Sequence, residues 1–254
     1  MPKLMDVDAG DVSKTVSGFQ YSAVEIEKLG ASEYTIVQVV VDESGSVNGF
    51  KDELEAAIKA VAESCKKSPR SENLLMRVTA FTTGGASTVR EVHGFTMLGN
   101  IDASGYVGSI VPSGMTPLND AVMEGVETMG AYGKRLRDQD YLCNGICFIV
   151  TDGAENASQT ATPEKVKRAI EKVRSEEHME SLRVILVGIN DQDPQLSRVL
   201  QDFKATAGLD DYLSVGEATP GKLAKLAQWV SQSISSTSQA LGTGGPSTSI
   251  SLSI

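Results

Sequence analysis

The sequence of 254 residues is long enough for one α/β domain with extensions, or for two small domains at most. A hydrophobic content of 41% permits a sizeable buried core, and a formal net charge of −10 argues against a protein that covers nucleic acid phosphates. No apolar run is long enough to span a membrane, and the acidic amino terminus lacks the apolar core of a signal peptide. Together with an odd number of cysteines, these features predict a cytoplasmic protein.

The first 33 residues show little periodicity and are predicted to form an amino-terminal arm. The next stretch, YTIVQVVVDESGS at 34–46, begins with an apolar, β-branched run. Such a run predicts a strand that is buried on both faces of a parallel sheet. The strand is expected to end at Asp42, where Gly45 gives the chain the backbone freedom to turn.

From residue 48 onward, strand and helix patterns alternate along the chain. Apolar residues at helical spacing predict five helices, which lie at 48–66, after Thr116, and at 163–177, 194–206 and 220–236. Apolar β-branched runs predict strands at 74–83, in GICFIVTDG up to Asp152, at 182–189 and, more briefly, at 212–215. A more polar strand at 88–98 follows the Gly84–Gly85 turn and is expected to pair antiparallel with the strand before it.

This alternation predicts an α/β fold with three layers, a doubly wound and mostly parallel sheet with one antiparallel strand. The domain is predicted to span residues 34–236. Cys143 and Cys147 lie four residues apart without a second pair of zinc ligands, so they are expected to be small core residues. Neither His93, expected on an edge strand, nor His178 is assigned a role.

The last segment, 237–254, is rich in Ser, Thr and Gly, a composition that is usually disordered. Within it, Ile250, Leu252 and Ile254 alternate with serines, which is the period of a strand. We therefore expect this carboxyl-terminal tail to add a strand to a partner or to a neighbouring protomer.

Oxygen-bearing side chains stand at the predicted strand ends and in one loop. Each alone could cap a helix or shape a turn. Because the carboxyl ends of parallel strands meet at one edge, the set is expected to lie together. Carboxylates and hydroxyls are hard ligands, so the set predicts a divalent metal site for Mg²⁺, or for Mn²⁺ or Ca²⁺. The predicted ligands are Asp42, Ser44, Ser46, Thr116 and Asp152.

The segments DESGS, GMTPL and TDG resemble the metal-ion-dependent adhesion site (MIDAS) of von Willebrand factor A (vWA) domains. That pattern is Asp-x-Ser-x-Ser, then a Thr in a separate loop, then an Asp at a later strand end. The resemblance covers roughly residues 34–236 and implies the Rossmann-like fold of that family. The lack of a signal peptide resembles bacterial or phage members rather than secreted receptors.

The resemblance implies that the ion mediates protein binding and is not used for catalysis. Three neutral hydroxyl ligands leave a divalent cation electron-poor, so a Glu or Asp carboxylate from a partner protein would complete its coordination. No nucleic acid or membrane partner is expected.

Two alternatives belong to other functional classes. A magnesium-dependent phosphatase of the haloacid dehalogenase type would use Asp42 as nucleophile, but it needs an acid two residues later, where this chain has Ser44. The chain could instead be a structural component of a homo-oligomer or larger assembly, built through the amino-terminal arm and the carboxyl-terminal tail.

Overall fold

A computed structural model describes residues 11–243, and their central layer is one sheet of eight strands. The strands are β1 Asp11–Val16, β2 Phe19–Val24, β3 Glu33–Asp42, β4 Leu74–Phe81, β5 Val89–Met97, β6 Leu142–Thr151, β7 Ser181–Gly188 and β8 Asp211–Ser214. They lie side by side in the order β1-β2-β5-β4-β3-β6-β7-β8. The strongly apolar β3 lies near the middle of the sheet, as its sequence predicts.

Five helices cover the two faces of the sheet: α1 Lys51–Lys66, α2 Leu118–Arg137, α3 Pro163–Ser175, α4 Pro194–Thr206 and α5 Pro220–Thr243. Helices α1 and α5 bury one apolar core against the sheet, and α2, α3 and α4 bury a second core on the other face. Helix α5 continues past residue 236, where the sequence analysis ends the domain. Within residues 11–243, no helix is both long and apolar enough to cross a membrane.

The expectation of a single antiparallel strand is wrong. Strand β5 pairs antiparallel with β4, as the Gly84–Gly85 turn predicts, but β2 runs parallel to β5 and antiparallel to β1. Two strands, β2 and β5, therefore run against the other six, and the sheet is mixed. The difference arises in the segment predicted to be an arm, because residues 11–24 form a hairpin at one edge of the sheet.

The hairpin turn is tight because it has only two residues, Ser17 and Gly18. Both have positive φ, at 49° and 86°, which is the geometry that joins two antiparallel strands directly. The hairpin approaches β5 closely, since a Cβ placed on Gly94 would lie 2.1 Å from Ser22 Oγ. Only a residue without a side chain lets β2 join the sheet here.

Two smaller predictions have different outcomes. The three cysteines, Cys65, Cys143 and Cys147, are free and buried, which confirms that Cys143 and Cys147 are core residues. Thr116 does not cap the helix that follows it. Helix α2 begins at Leu118, and its backbone amides find their acceptors in a distant loop described below.

A buried arginine connects the sheet to the helices on one face. Arg77 on β4 has a side chain that is 1% exposed, and its guanidinium donates to both carboxylate oxygens of Glu124 on α2, at 2.7 and 3.2 Å. It also donates to Glu91 on β5 at 3.0 Å and to the Thr128 hydroxyl at 3.0 Å, and it lies over the Phe95 ring. The pairing offsets the large cost of burying these charges.

Glu91 extends this network to the edge hairpin. Its carboxylate accepts the Ser22 backbone N–H of β2, at 3.1 and 3.2 Å from its two oxygens. Strand β2 otherwise pairs with β5 only at Ala23 and Phe95. One side chain therefore supplies much of the polar contact between the hairpin and the rest of the sheet.

We predict that Arg77→Met lowers the free energy of unfolding by about 3–5 kcal/mol, because Glu124 is left charged and buried. The double variant Arg77→Met/Glu124→Leu should recover much of that loss. Urea unfolding followed by Trp229 fluorescence measures both values. As a control, Arg137→Met removes a half-exposed pair with Glu180 and should cost under about 1 kcal/mol. Equal losses in Arg77→Met and Arg137→Met would contradict the prediction.

His93 is a second buried titratable group, on β5. Its ring nitrogens lie 2.9 Å from the Gly94 carbonyl and 2.9 Å from the Tyr106 hydroxyl. The carbonyl can only accept, so Nδ1 carries the proton and Nε2 accepts from the tyrosine. Burial lowers the pKa of His93 to about 4, and the ring is neutral in the folded protein.

Because an unfolded histidine has a pKa of about 6.5, the unfolded chain binds this proton first as the pH falls. We predict that His93 contributes stability above about pH 6.5 that is lost towards pH 4, by at most about 3 kcal/mol. Urea unfolding at several pH values should give a shallower pH dependence for His93→Gln than for the wild type. If the wild type and His93→Gln had identical slopes, His93 would not contribute to the pH dependence of stability, and the prediction would be wrong.

Candidate functional site

Four of the predicted site residues meet at the carboxyl ends of β3 and β6. Asp42 is the last residue of β3, and the turn after it brings the Ser44 and Ser46 hydroxyl oxygens to 3.0 Å from each other. The Ser46 hydroxyl donates to Asp152 Oδ1 at 2.9 Å. Asp152 follows β6, the neighbour of β3 in the sheet. The adjacent parallel strands therefore deliver both acids to one place.

Thr116 reaches the same place from a separate loop. A Cβ placed on Gly153 would lie 3.2 Å from Thr116 Oγ1, so the hydroxyl packs against the residue after Asp152. The Thr116 backbone N–H donates to Asn156 Oδ1 at 2.8 Å, and the Asn156 N–H donates to the Thr116 carbonyl at 3.1 Å. All the predicted residues are thus brought together, and we name them the oxygen cluster: Asp42, Ser44, Ser46, Thr116 and Asp152.

Among the described residues, no cationic side chain contacts either carboxylate of the cluster. Asp42 accepts the Ser44 backbone N–H at 2.8 Å and the Thr151 hydroxyl at 2.6 Å. Burial raises the pKa of Asp42 to about 6, and the neighbouring Asp152 charge adds to the increase. Burial also raises the pKa of Asp152. A cation placed beside them would favour the ionised forms of both.

The loop after β6 is fastened to the start of α2 by two acids that the sequence analysis missed. Asp120 accepts the backbone N–H groups of Gln159, Thr160 and Ala161, at 2.8, 3.1 and 2.7 Å. Glu155 accepts the Asn119 N–H at 2.7 Å. Because these contacts fix the loop that carries Asp152, Asp120 and Glu155 act as positioning residues. The composition of TDGAENASQTATP indicates a turn-rich loop, but not its acceptors.

A second segment beside the cluster, residues 107–115, is held from inside by two buried glutamates. We call it the apolar loop. Glu55 on α1 accepts the N–H groups of Gly108 and Ile110, at 2.8 and 2.9 Å. Glu43 accepts the Val111 N–H at 3.1 Å and pairs with Arg90 at 2.7 Å. Glu43 is therefore a buried residue that holds this loop in place.

The outer side of the apolar loop carries large hydrophobic side chains in water. Val107 is 70% exposed, Val111 44% and Met115 53%. The backbone beneath them is tied to the end of β4, since Met115 N donates to Thr83 Oγ1 at 2.9 Å. These side chains are therefore exposed on a backbone that hydrogen bonds hold in place.

Two glycines bring the backbone of the apolar loop against the backbone that follows β4. A Cβ on Gly114, whose φ is 65°, would lie 2.3 Å from Gly84 N. A Cβ on Gly84 would in turn lie 2.3 Å from Ser113 Oγ. Neither position has room for a side chain.

No group of three or more His, Cys, Asp or Glu side chains is placed to hold a metal ion anywhere in residues 11–243. The oxygen cluster has only two acids, and its other members are hydroxyls.

No protein-family model matches the sequence, and no curated protein matches it. Similar solved structures exist. A mutant of the PilB minor pilin from Streptococcus sanguinis has a TM-score of 0.59 and 13% identity, over 92% of this chain and 68% of that one. The chain shares the fold of a pilus protein.

Two further structures extend this observation. The pilus adhesin SpaC from Lactobacillus rhamnosus GG, in an open conformation, has a TM-score of 0.57 and 13% identity over 89% of this chain. This chain spans only 33% of SpaC. Proximal thread matrix protein 1 from the mussel byssus has a TM-score of 0.52 and 13% identity, over 82% of this chain and 47% of that one.

These findings contradict the assignment to the von Willebrand factor A family and to its fold. No family model matches, the similar structures include a minor pilin and a pilus adhesin, and the mixed sheet differs from the expected one. The resemblance depended on five positions in 254. Polar residues at strand ends also form hydrogen bonds that stabilise nearby turns and loops, so their presence does not require a metal site. Asp42 accepts hydrogen bonds that close its own turn, and the Thr116 backbone bonds to Asn156.

The predicted function is contradicted for the same reason. Pilus-like structures and the lack of an acidic metal group in the described residues do not support a MIDAS module that binds a partner's carboxylate. The alternative, a structural component of an assembly, agrees better with the comparisons.

Proposed function

We propose that this chain is a structural, non-enzymatic component of an oligomeric assembly. Its fold resembles a minor pilin and a pilus adhesin, and minor pilins are parts of larger structures by name. The likeness is one of fold at 13% identity, so the proposal needs support from the surface of the chain itself.

The observation that carries the proposal is the open edge formed by β1. Within residues 11–243, β1 pairs with β2 only. In a hairpin with a two-residue turn, the pairs Val16–Phe19 and Lys14–Tyr21 exchange backbone hydrogen bonds. The backbone groups of Ser13 and Thr15 therefore point away from β2, where they can pair with a strand of another molecule.

The other edge strand, β8, offers fewer backbone hydrogen bonds to a second chain. Strand β8 has four residues and pairs only with β7 among the described strands. A short edge strand limits the number of hydrogen bonds that a second chain can form with it. We therefore assign the main lateral contact to β1, which lies in the predicted amino-terminal arm.

We predict that the full chain forms species above 26.9 kDa whose share rises with concentration. Thr15→Pro should weaken assembly at least about tenfold, because proline removes the outward N–H while leaving the hairpin bonds in place. Thr15→Ala keeps that N–H and is the matched control. Sedimentation velocity over a range of concentrations measures all three. A monomer at every concentration would overturn the proposed function.

A second and separate proposal concerns the oxygen cluster. We infer that it binds a divalent cation, Mg²⁺ in preference to Mn²⁺ or Ca²⁺, as a structural ion. The support is the convergence of five oxygen-bearing side chains from three segments, two of them acids whose pKa values are raised. Hard oxygen ligands of this kind suit these ions. The ion would fix the turn after β3 and the loop after β6 together.

For this proposal, we predict that Asp152→Ala weakens Mg²⁺ binding at least about tenfold, because it removes one of only two negative ligands. Ser46→Ala should have a smaller effect, since it removes a neutral ligand. Asp138→Ala, at an exposed site just after the carboxyl end of α2, is the control. Isothermal titration calorimetry gives the affinities. Equal Mg²⁺ affinity in Asp152→Ala and the wild type would exclude the site.

The cytoplasmic location stays a prediction. The three cysteines do not decide it, because all are buried and burial raises their thiol pKa, to about 11 for Cys65. A buried thiol in its neutral form reacts slowly in any compartment.

A further inference from the structure

The fold does not explain why the apolar loop exposes large hydrophobic side chains. Three of its nine residues are large, apolar and more than two-fifths exposed. Two buried glutamates, Glu43 and Glu55, direct carboxylate oxygens at its backbone. Burying carboxylates for this purpose is costly, and it fixes a hydrophobic surface in place. Fixed exposed apolar surface is typical of a binding site.

The same chain carries a short apolar segment near its carboxyl end. In the tail, Ile250, Leu252 and Ile254 alternate with serines, so an extended tail has one apolar and one polar side. The segment 244–254 lies outside the described residues. It has no charged residue, and the outward side chains of the apolar loop are also uncharged. The two surfaces are compatible in polarity.

The positions of the two elements determine which molecule the tail can reach. Helix α5 begins near the carboxyl ends of the strands and ends near their amino ends. There, Asn144 at the start of β6 donates to the Thr237 carbonyl at 3.1 Å, and Arg70 donates to Ser238 at 3.0 Å. The apolar loop lies at the opposite end, beside Glu43. Helix α5 therefore ends at the end of the domain away from the loop.

The length of α5 disfavours a contact within one molecule. Helix α5 has 24 residues and is about 36 Å long at 1.5 Å per residue. The eleven residues 244–254 span at most about 40 Å when fully extended, so returning to the height of the loop would use almost all of them. Residues 250–254 could not then lie along the loop. A second copy has no such restriction.

We propose that residues 250–254 of one copy dock on the apolar loop of the next copy, at Val107, Val111 and Met115. This inference rests on the proposed function and names one of its contacts. Because the two surfaces differ and lie at opposite ends of the domain, the contact is heterologous. Copies would therefore join in one direction, as a ring or an open chain.

A labelled peptide of residues 244–254 tests the contact by fluorescence anisotropy. The protein is the full chain with Ile250→Asp/Leu252→Asp. These substitutions prevent the tails of other copies from occupying the loop and competing with the peptide. We expect saturable binding that Val107→Asp/Val111→Asp weakens at least about tenfold. Val199→Asp is the control, at a valine on α4 that is about as exposed as Val111. A Leu252→Asp peptide should bind at least about tenfold more weakly than the unchanged peptide.

Circular dichroism checks that each variant is folded, and Met115→Asp replaces the double loop variant if that one is not. No peptide binding, or binding that the loop substitutions leave unchanged, would overturn the inference. The proposed function is tested separately by sedimentation velocity. If the unsubstituted chain still assembles there, the proposed function stands even when the peptide does not bind. A chain that stays monomeric at all concentrations would overturn both.

Discussion

The buried charge network of Arg77 is the interaction on which the arrangement of this protein depends. A guanidinium in the middle of the sheet contacts an acid on α2 and an acid on β5. Leaving any one of these charges unpaired would be costly, so the strand pair β4–β5 and helix α2 have one acceptable relative position. Through Glu91, the same network also fixes where the edge hairpin meets the sheet.

The position of α2 in turn determines the geometry of the oxygen cluster. The amino-terminal residues of α2 bind the loop after β6 through Asp120 and the Asn119 N–H. That loop carries Asp152, and its Asn156 bonds to the backbone of Thr116. A side chain in the core and a group of oxygens at the surface are therefore connected through one helix. The sheet alone would align the strands without fixing the loops.

The sequence predicts the parts of this structure that depend on local periodicity. The strand that ends at Asp42, the alternation of strands and helices, and the convergence of five oxygen-bearing side chains follow from apolar patterns and from strand direction. The hairpin at 11–24 is not predicted, because its strands are polar and short. Glu43 and Glu55 are also missed, since their partners are backbone amides more than fifty residues away. The five cluster positions lie together, as strand direction predicts, but they do not assign a family.

The close backbone contact of Gly84 and Gly114 has a consequence for protein engineering. Surface loops usually accept inserted peptides, because their backbone is solvated and their ends are free to adjust. The apolar loop is on the surface, yet its length is fixed at one end by this contact and along its course by two buried carboxylates. An epitope tag or fused domain is better placed in the turn between α2 and β6, around Asp140, where the side chains of residues 138–140 are exposed.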